Sequence, residues 1–198
     1  MTKRIRLIRR AASASGQSAV EMAICLPLVV VLVLGVSEMG WALLDAHIVT
    51  KLTREGSNMI SRDASLDDAV SAMRAMASRP VNFDDGTSKV IFSVIKRGAT
   101  VGSVNYNKNI LYQRFTYGSY PGASHISAGG SFGPAPNYVA NNSDNDASLQ
   151  VSGFPATLLV NPGDWSYVTE IYTAHTLITP FNNFGFSLPT TLYSIAYF

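Results

Sequence analysis

Residues 16–41 of this chain are GQSAVEMAICLPLVVVLVLGVSEMGW, and no residue between Glu21 and Glu38 is charged. An α-helix rises about 1.5 Å per residue, so a helix from Glu21 to Trp41 would be about 30 Å long. That length matches the hydrocarbon thickness of a bilayer. The sequence therefore predicts a transmembrane helix at residues 17–44. Glu38 and Trp41 would lie at its outer interface, where an indole ring is favoured.

Positive charge is concentrated before this helix, although the whole chain of 198 residues has a net charge of only +2. No acidic residue precedes Glu21. Cations flanking a span stay in the cytoplasm, which predicts a single-pass protein of the bacterial inner membrane with its C-terminal part periplasmic or extracellular. The five cations are Lys3, Arg4, Arg6, Arg9 and Arg10.

The remainder of the chain has no basic surplus. From Asp45 onward, ten Lys or Arg residues stand against eleven Asp or Glu residues. A nucleic-acid-binding domain needs a basic patch or stripe. We therefore expect no nucleic-acid partner.

The N-terminal segment allows three interpretations. A secretory signal peptide has a basic start, about 7–15 apolar residues and a small-x-small cleavage site, but no such site directly follows this longer apolar run. An uncleaved anchor is the second interpretation. The third rests on Gly16, which is followed after four residues by Glu21 at the start of the apolar helix. This arrangement resembles the type IV prepilin cleavage site. The resemblance implies a basic leader at residues 1–16, removed by a prepilin peptidase that cuts between Gly16 and Gln17.

Glu21 would then remain at the membrane edge. A carboxylate near the centre of a membrane helix costs about 2.5–3.5 kcal/mol on insertion scales, and less at the edge. Cleavage would free the α-amino group of Gln17, which could pair with Glu21 of the same chain or of a neighbour. We therefore predict that Glu21 is a charge used for subunit pairing. The alternative is a glutamate that reaches the interface without a partner.

Two further motifs lie in LGVSEMGWALLDAHIVTKLTREGSNMISR, residues 34–62: Glu38-Met39-Gly40 and Arg54-Glu55-Gly56. With the prepilin-like site, they resemble the TadE-like proteins of tight-adherence pilus systems. The apolar helix also contains Pro27, which should kink it because proline removes a backbone donor.

The resemblance implies a minor pilin-like subunit, or pseudopilin, for assembly of a tight-adherence (Flp-type) pilus. Its expected partners are the prepilin peptidase, other pilin-like subunits, pilus assembly proteins and the lipid of the inner membrane. The alternative function is a membrane-tethered periplasmic binding module that does not enter a filament.

Residues 45–198 are expected to form an exported pilin-like domain of the α+β class. The membrane helix should continue into it, and Ser65 should cap a second helix that ends near Arg79-Pro80. Alternating apolar residues predict an antiparallel sheet of about four strands behind the helices. The strand candidates are 90–95, 110–117, 165–178 and 190–197.

One segment of the exported domain differs in composition. Residues 118–150 contain 18 Gly, Pro, Ser or Asn residues among 33. Such a long stretch predicts a flexible loop, either a surface that touches a partner or a mobile insertion.

No catalytic or metal-binding pattern is present in the sequence. The single cysteine, Cys25, allows no intrachain disulfide, and His47, His125 and His175 lack the spacing of metal ligands. The acidic pair Asp67-Asp68 fits the first turn of a helix, where negative charge is favoured. We therefore expect no enzymatic activity, no metal and no cofactor.

Overall fold

The structure is a computed structural model that describes the backbone of residues 2–155, 157–180 and 188–198, and the side chains in these ranges from residue 16 onward. It consists of two α-helices, a four-stranded sheet and one short 3-10 helix at Ala147–Leu149. This arrangement confirms the α+β class. The helices are α1 (Thr2–Ser61) and α2 (Leu66–Met76), and the strands are β1 (Ser88–Arg97), β2 (Asn109–Tyr117), β3 (Trp165–Ala174) and β4 (Thr191–Tyr197).

The described residues fall into two compact units. The first comprises α1 through Ala42 together with residues 177–180. The second comprises the rest of α1, α2 and the sheet. Helix α1 continues without interruption through Pro27 and through the expected boundary at residue 44. The kink at Pro27 and the division into leader, span and exported domain stay predictions.

Two elements end earlier than expected. Helix α2 stops at Met76, because Ala77 already has an extended backbone. Strand β3 ends at Ala174 rather than near residue 178, since the chain after it turns to contact α1. The start of α2 is as predicted: the Ser65 side chain accepts a hydrogen bond from the Asp68 amide at 3.1 Å.

The sheet has the strand order β2-β1-β3-β4, and every neighbouring pair is antiparallel. Phe92 of β1 lies opposite Thr169 of β3, which lies opposite Ala196 of β4. One face of the sheet packs on α1 and α2, whose apolar positions recur at helical spacing. The core on this face contains Val90, Phe92 and Ile171 of the sheet, Val49, Leu52 and Ile60 of α1, and Leu66, Ala69 and Met73 of α2.

Helix α1 crosses β3 closely at Gly56. A Cβ atom at this position would lie 2.8 Å from Met73 Sδ and 2.9 Å from Thr169 Cγ2. Real Cβ atoms essentially never approach so closely, and Thr169 is fully buried in the centre of the sheet. The glycine of the Arg54-Glu55-Gly56 motif is therefore a packing requirement.

We expect Gly56→Val to lower the free energy of unfolding by about 1–3 kcal/mol, the usual cost of overpacking a core. Gly40→Val is the matched control, because nothing lies within 4 Å of a Cβ built on Gly40. Thermal unfolding of the two detergent-solubilised variants would measure the difference. Equal melting temperatures would contradict the close crossing at Gly56.

The opposite face of the sheet is also covered, by the segment expected to be a structureless loop. Within residues 118–150, Ile126 and Leu149 are fully buried. Isolated bridges join Ser127 to Ser152 and Phe132 to Ala140. The part of the segment around Ile126 therefore forms a packed third layer, whereas Tyr138 stacks on Phe115 and packs against the helix-side core. The Gly, Ser and Asn residues of the segment make the turns that this layer needs.

The buried carboxylate of Glu170 connects this third layer to the sheet through hydrogen bonds. Glu170 of β3 is fully buried and accepts hydrogen bonds from the His125 amide at 2.7 Å, the Tyr193 hydroxyl at 2.8 Å and the Ser124 hydroxyl. Burial, the hydrogen bond to Glu170 and the charge of that carboxylate all raise the pKa of Tyr193, so its hydroxyl remains a donor.

A partly buried cation lies in the same network. Arg114 of β2 donates to Ser93 Oγ at 3.0 Å and to the Ile126 carbonyl at 2.7 Å. Burial lowers the pKa of Arg114, and the negative charge of Glu170 opposes that shift. The opposite charges of Arg114 and Glu170 thus stabilise each other between the sheet and the third layer.

Candidate functional site on the N-terminal helix

The residues of the predicted cleavage site lie on an exposed part of α1. Gly16, Gln17 and Glu21 are all exposed, and nothing lies within 4 Å of a Cβ built on Gly16. Gln17 Nε2 donates a hydrogen bond to Glu21 Oε1 at 3.0 Å. Residues four apart share a helix face, so the uncut chain already holds residue 17 and the Glu21 carboxylate side by side.

Between Val20 and Leu44, most of the surface of α1 is apolar and makes little contact with the protein, apart from Glu38 and Trp41. Its large apolar side chains between Val20 and Leu44, other than Trp41, are between 36% and 71% exposed. A soluble monomer rarely exposes so large a contiguous apolar surface. The described part of α1 contains one stretch that is long and apolar enough to cross a membrane. It is compatible with a single-pass membrane protein.

Glu38, expected near the outer interface, is 5% exposed and has partners that the sequence did not reveal. Its carboxylate accepts hydrogen bonds from the Thr179 hydroxyl at 2.6 Å, the Thr179 amide at 2.8 Å and the Ile178 amide at 3.2 Å. Each hydrogen bond to a charged group contributes about 1.5–3 kcal/mol. These bonds stabilise a carboxylate that is largely withdrawn from solvent. Trp41, one turn further along, is partly buried, and its interfacial position stays a prediction.

A second acidic residue of α1, Asp45, contacts the end of β3. Its side chain lies 2.8 Å from His175 Nδ1, and both side chains are buried. Glu38 and Asp45 are seven residues apart, which is about two helical turns, so they lie on one face of α1. Neither contact is predicted by the sequence. Their partners are more than 100 residues away, and no local pattern marks them.

The described residues contain no group of three or more His, Cys, Asp or Glu side chains that could hold a metal ion. Hydrogen bonds account for the acidic residues that are buried there: Glu38, Asp45 and Glu170 each have protein partners. Along α1, the described side chains form an apolar surface with Glu21 and Glu38 at its two ends. Such a surface suits insertion into a membrane and packing against other helices.

Comparison with known proteins gives one match, and it covers the apolar part of α1. No curated protein and no solved structure matches the chain. One family model does match, and proteins of that family are pilus-related structural components rather than a known class of enzymes. The match indicates association with a tight-adherence pilus. The model is that of the TadE-like proteins and it matches residues 16–58, which confirms the resemblance over the segment that contains the apolar helix, Glu38 and Gly56.

Proposed function

We propose that this protein is a minor pilin-like subunit that is processed by a prepilin peptidase and takes part in assembling a tight-adherence pilus. The observation that carries the proposal is the exposed apolar surface of α1, which begins just after Gly16 and Glu21 and lies within the family match. Such a helix can first lie in the inner membrane and then pack against the helices of other subunits. Residues 45–198 would be exported.

Glu21 has a specific part in this proposal. Removal of residues 1–16 leaves the α-amino group of Gln17 at the start of the apolar helix. Because a buried carboxylate is favourable only with a well-placed partner, pairing of Glu21 with the amine of a neighbouring subunit selects one packing of the helices. The remaining surface of the helix is apolar and has no directional preference of its own.

Cleavage is the first test. Intact-mass analysis of the protein purified from host cells should show that residues 1–16 are missing and that Gln17 is the first residue. Gly16→Leu should block processing, because a bulky side chain then stands at the cut bond. A wild-type chain that keeps Met1 in cells with an active prepilin peptidase would contradict the proposal.

Topology is a separate test. The cations before the helix predict a cytoplasmic N-terminus. A reporter that is active only in the periplasm should therefore work when it is fused after Phe198. A fusion at the same position to a reporter that is active only in the cytoplasm serves as the control. Activity of that second fusion would show that the C-terminal domain is in the cytoplasm and would contradict the predicted topology.

A further inference from the structure

Residues 177–180, here called the 177–180 loop, are held against α1 by Glu38. The loop follows His175 and contributes two backbone amides and one hydroxyl to the Glu38 carboxylate, at distances of 2.6–3.3 Å. Both Glu38 and Thr179 are buried. The position of the loop along α1 is therefore set by residue 38.

That position corresponds to a depth in the membrane. Glu38 lies 17 residues beyond Glu21, which is about 25 Å along an α-helix. The hydrocarbon core of a bilayer is about 30 Å thick. If α1 spans the membrane, as the proposed function requires, the 177–180 loop lies at the outer boundary of the hydrocarbon.

The loop has the chemistry that this boundary demands. Ile178 is 50% exposed, and Pro180 is exposed and lacks an amide proton. In the hydrocarbon region every backbone donor needs a partner within the protein, and Glu38 accepts the amide protons of residues 178 and 179. No Asp, Glu, Lys or Arg follows Glu170 in the sequence, so the chain around the loop carries no fixed charge that lipid would exclude.

The exposed surface of α1 just after Glu38 in the sequence is apolar as well. Met39 and Leu43, which follow Glu38 on α1, are 71% and 70% exposed. The loop and this part of α1 thus both expose apolar side chains. Glu38 is an unusual residue in an apolar helix, and its carboxylate accepts the hydrogen bonds of the polar groups in the loop.

We propose that the 177–180 loop is a second membrane-contacting element, with Ile178 inserted into the outer boundary of the same bilayer that α1 spans. Glu38 is its positioning residue, because it binds the polar groups of the loop and leaves the Ile178 side chain free to enter lipid.

Spin labels on single cysteines test this directly. Cys25 is first replaced by alanine, and the full chain is reconstituted in vesicles of phosphatidylethanolamine and phosphatidylglycerol. Labels are then placed by Ile178→Cys, by Leu32→Cys in the middle of the span and by Val101→Cys on the exported domain. Leu32 and Val101 are 65% and 79% exposed, so both should accept a label. Collisions with oxygen, which concentrates in lipid, are compared with collisions with a water-soluble nickel chelate.

The label at 178 should collide more with oxygen than with nickel, as at 32, whereas nickel should dominate at 101. Nickel dominance at 178 with oxygen dominance at 32 would overturn the inference and leave the spanning helix intact. Protection of 178 from both reagents would overturn it too, because protein would then cover the loop. Nickel dominance at 32 would instead refute the membrane span and with it the proposed function.

Glu38→Leu provides a second measurement on the same label. It removes the acceptor of the loop without adding a polar group to α1. Nickel collisions at 178 should rise, while those at 32 should not change. Thr179→Val, which removes only the hydroxyl donor, should cause a smaller rise in the same direction. Unchanged collisions at 178 in both variants would show that Glu38 does not position the loop.

Discussion

Glu21→Ala is expected to abolish co-purification of the protein with other pilus subunits while leaving its processing and membrane insertion unchanged. If Glu21 pairs with the α-amino group of a neighbour, the substitution strands that amine. Breaking a buried pair costs about 3–5 kcal/mol, and water and headgroups at the membrane edge reduce the cost. Insertion should not suffer, because the substitution removes a charge from an apolar helix.

The measurement is membrane cross-linking and co-purification, with processing and abundance checked in parallel. Glu21→Gln should fail in the same way, since it keeps the shape and the hydrogen-bonding groups but removes the charge. Glu55→Ala is the matched control, because Glu55 is an exposed acid of the same helix outside the predicted span. Normal association of processed Glu21→Ala would favour the tethered binding module over the pilin-like subunit.

Glu170→Ala is expected to cause the largest loss of stability, about 3–5 kcal/mol, which is the range for removing one member of a buried charged network. The substitution leaves the Tyr193 hydroxyl and the His125 amide without their acceptor. It also removes the negative charge near the partly buried Arg114. The third layer should therefore detach from the sheet before the helix-side core unfolds.

Thermal unfolding of the detergent-solubilised chain, followed by near-ultraviolet circular dichroism, measures this loss. Glu170→Gln keeps an acceptor and should be less destabilising. In the double variant Arg114→Leu/Glu170→Leu no charge is left unpaired, so its loss should be smaller than the sum of the two single losses. Additive losses would show that Arg114 and Glu170 act independently.

The secondary structure could be predicted because its signals are local. The run between Glu21 and Glu38 predicts an apolar helix from the absence of charge alone. Ser65 and Asp68 form a helix cap within four residues, and the capping hydrogen bond is present. Alternation of side chains between two faces was enough to locate β1, β2 and β4, since a strand has a period of two residues.

The sequence predicts less wherever the partner of a residue is distant in the chain. Residues 118–150 were expected to be a loop because turn-forming residues report local bends and not what the segment packs on. Glu170 appeared only as part of a long strand, although it fastens the third layer. Gly56 was noted as part of a motif, and only its distances to Met73 and Thr169 show why glycine is needed there.

The amino-acid sequence by itself determined the apolar helix, its charge asymmetry, the spacing of Gly16 and Glu21 that resembles a prepilin site, and the α+β class, because each depends on residues that are close in the chain. Only the tertiary structure decided what the acids at positions 38, 45 and 170 do. The Glu38 carboxylate binds residues 140 and 141 positions away. The free energy of a buried charge depends on the donors that the fold brings to it, and those donors come from parts of the chain that local patterns do not connect.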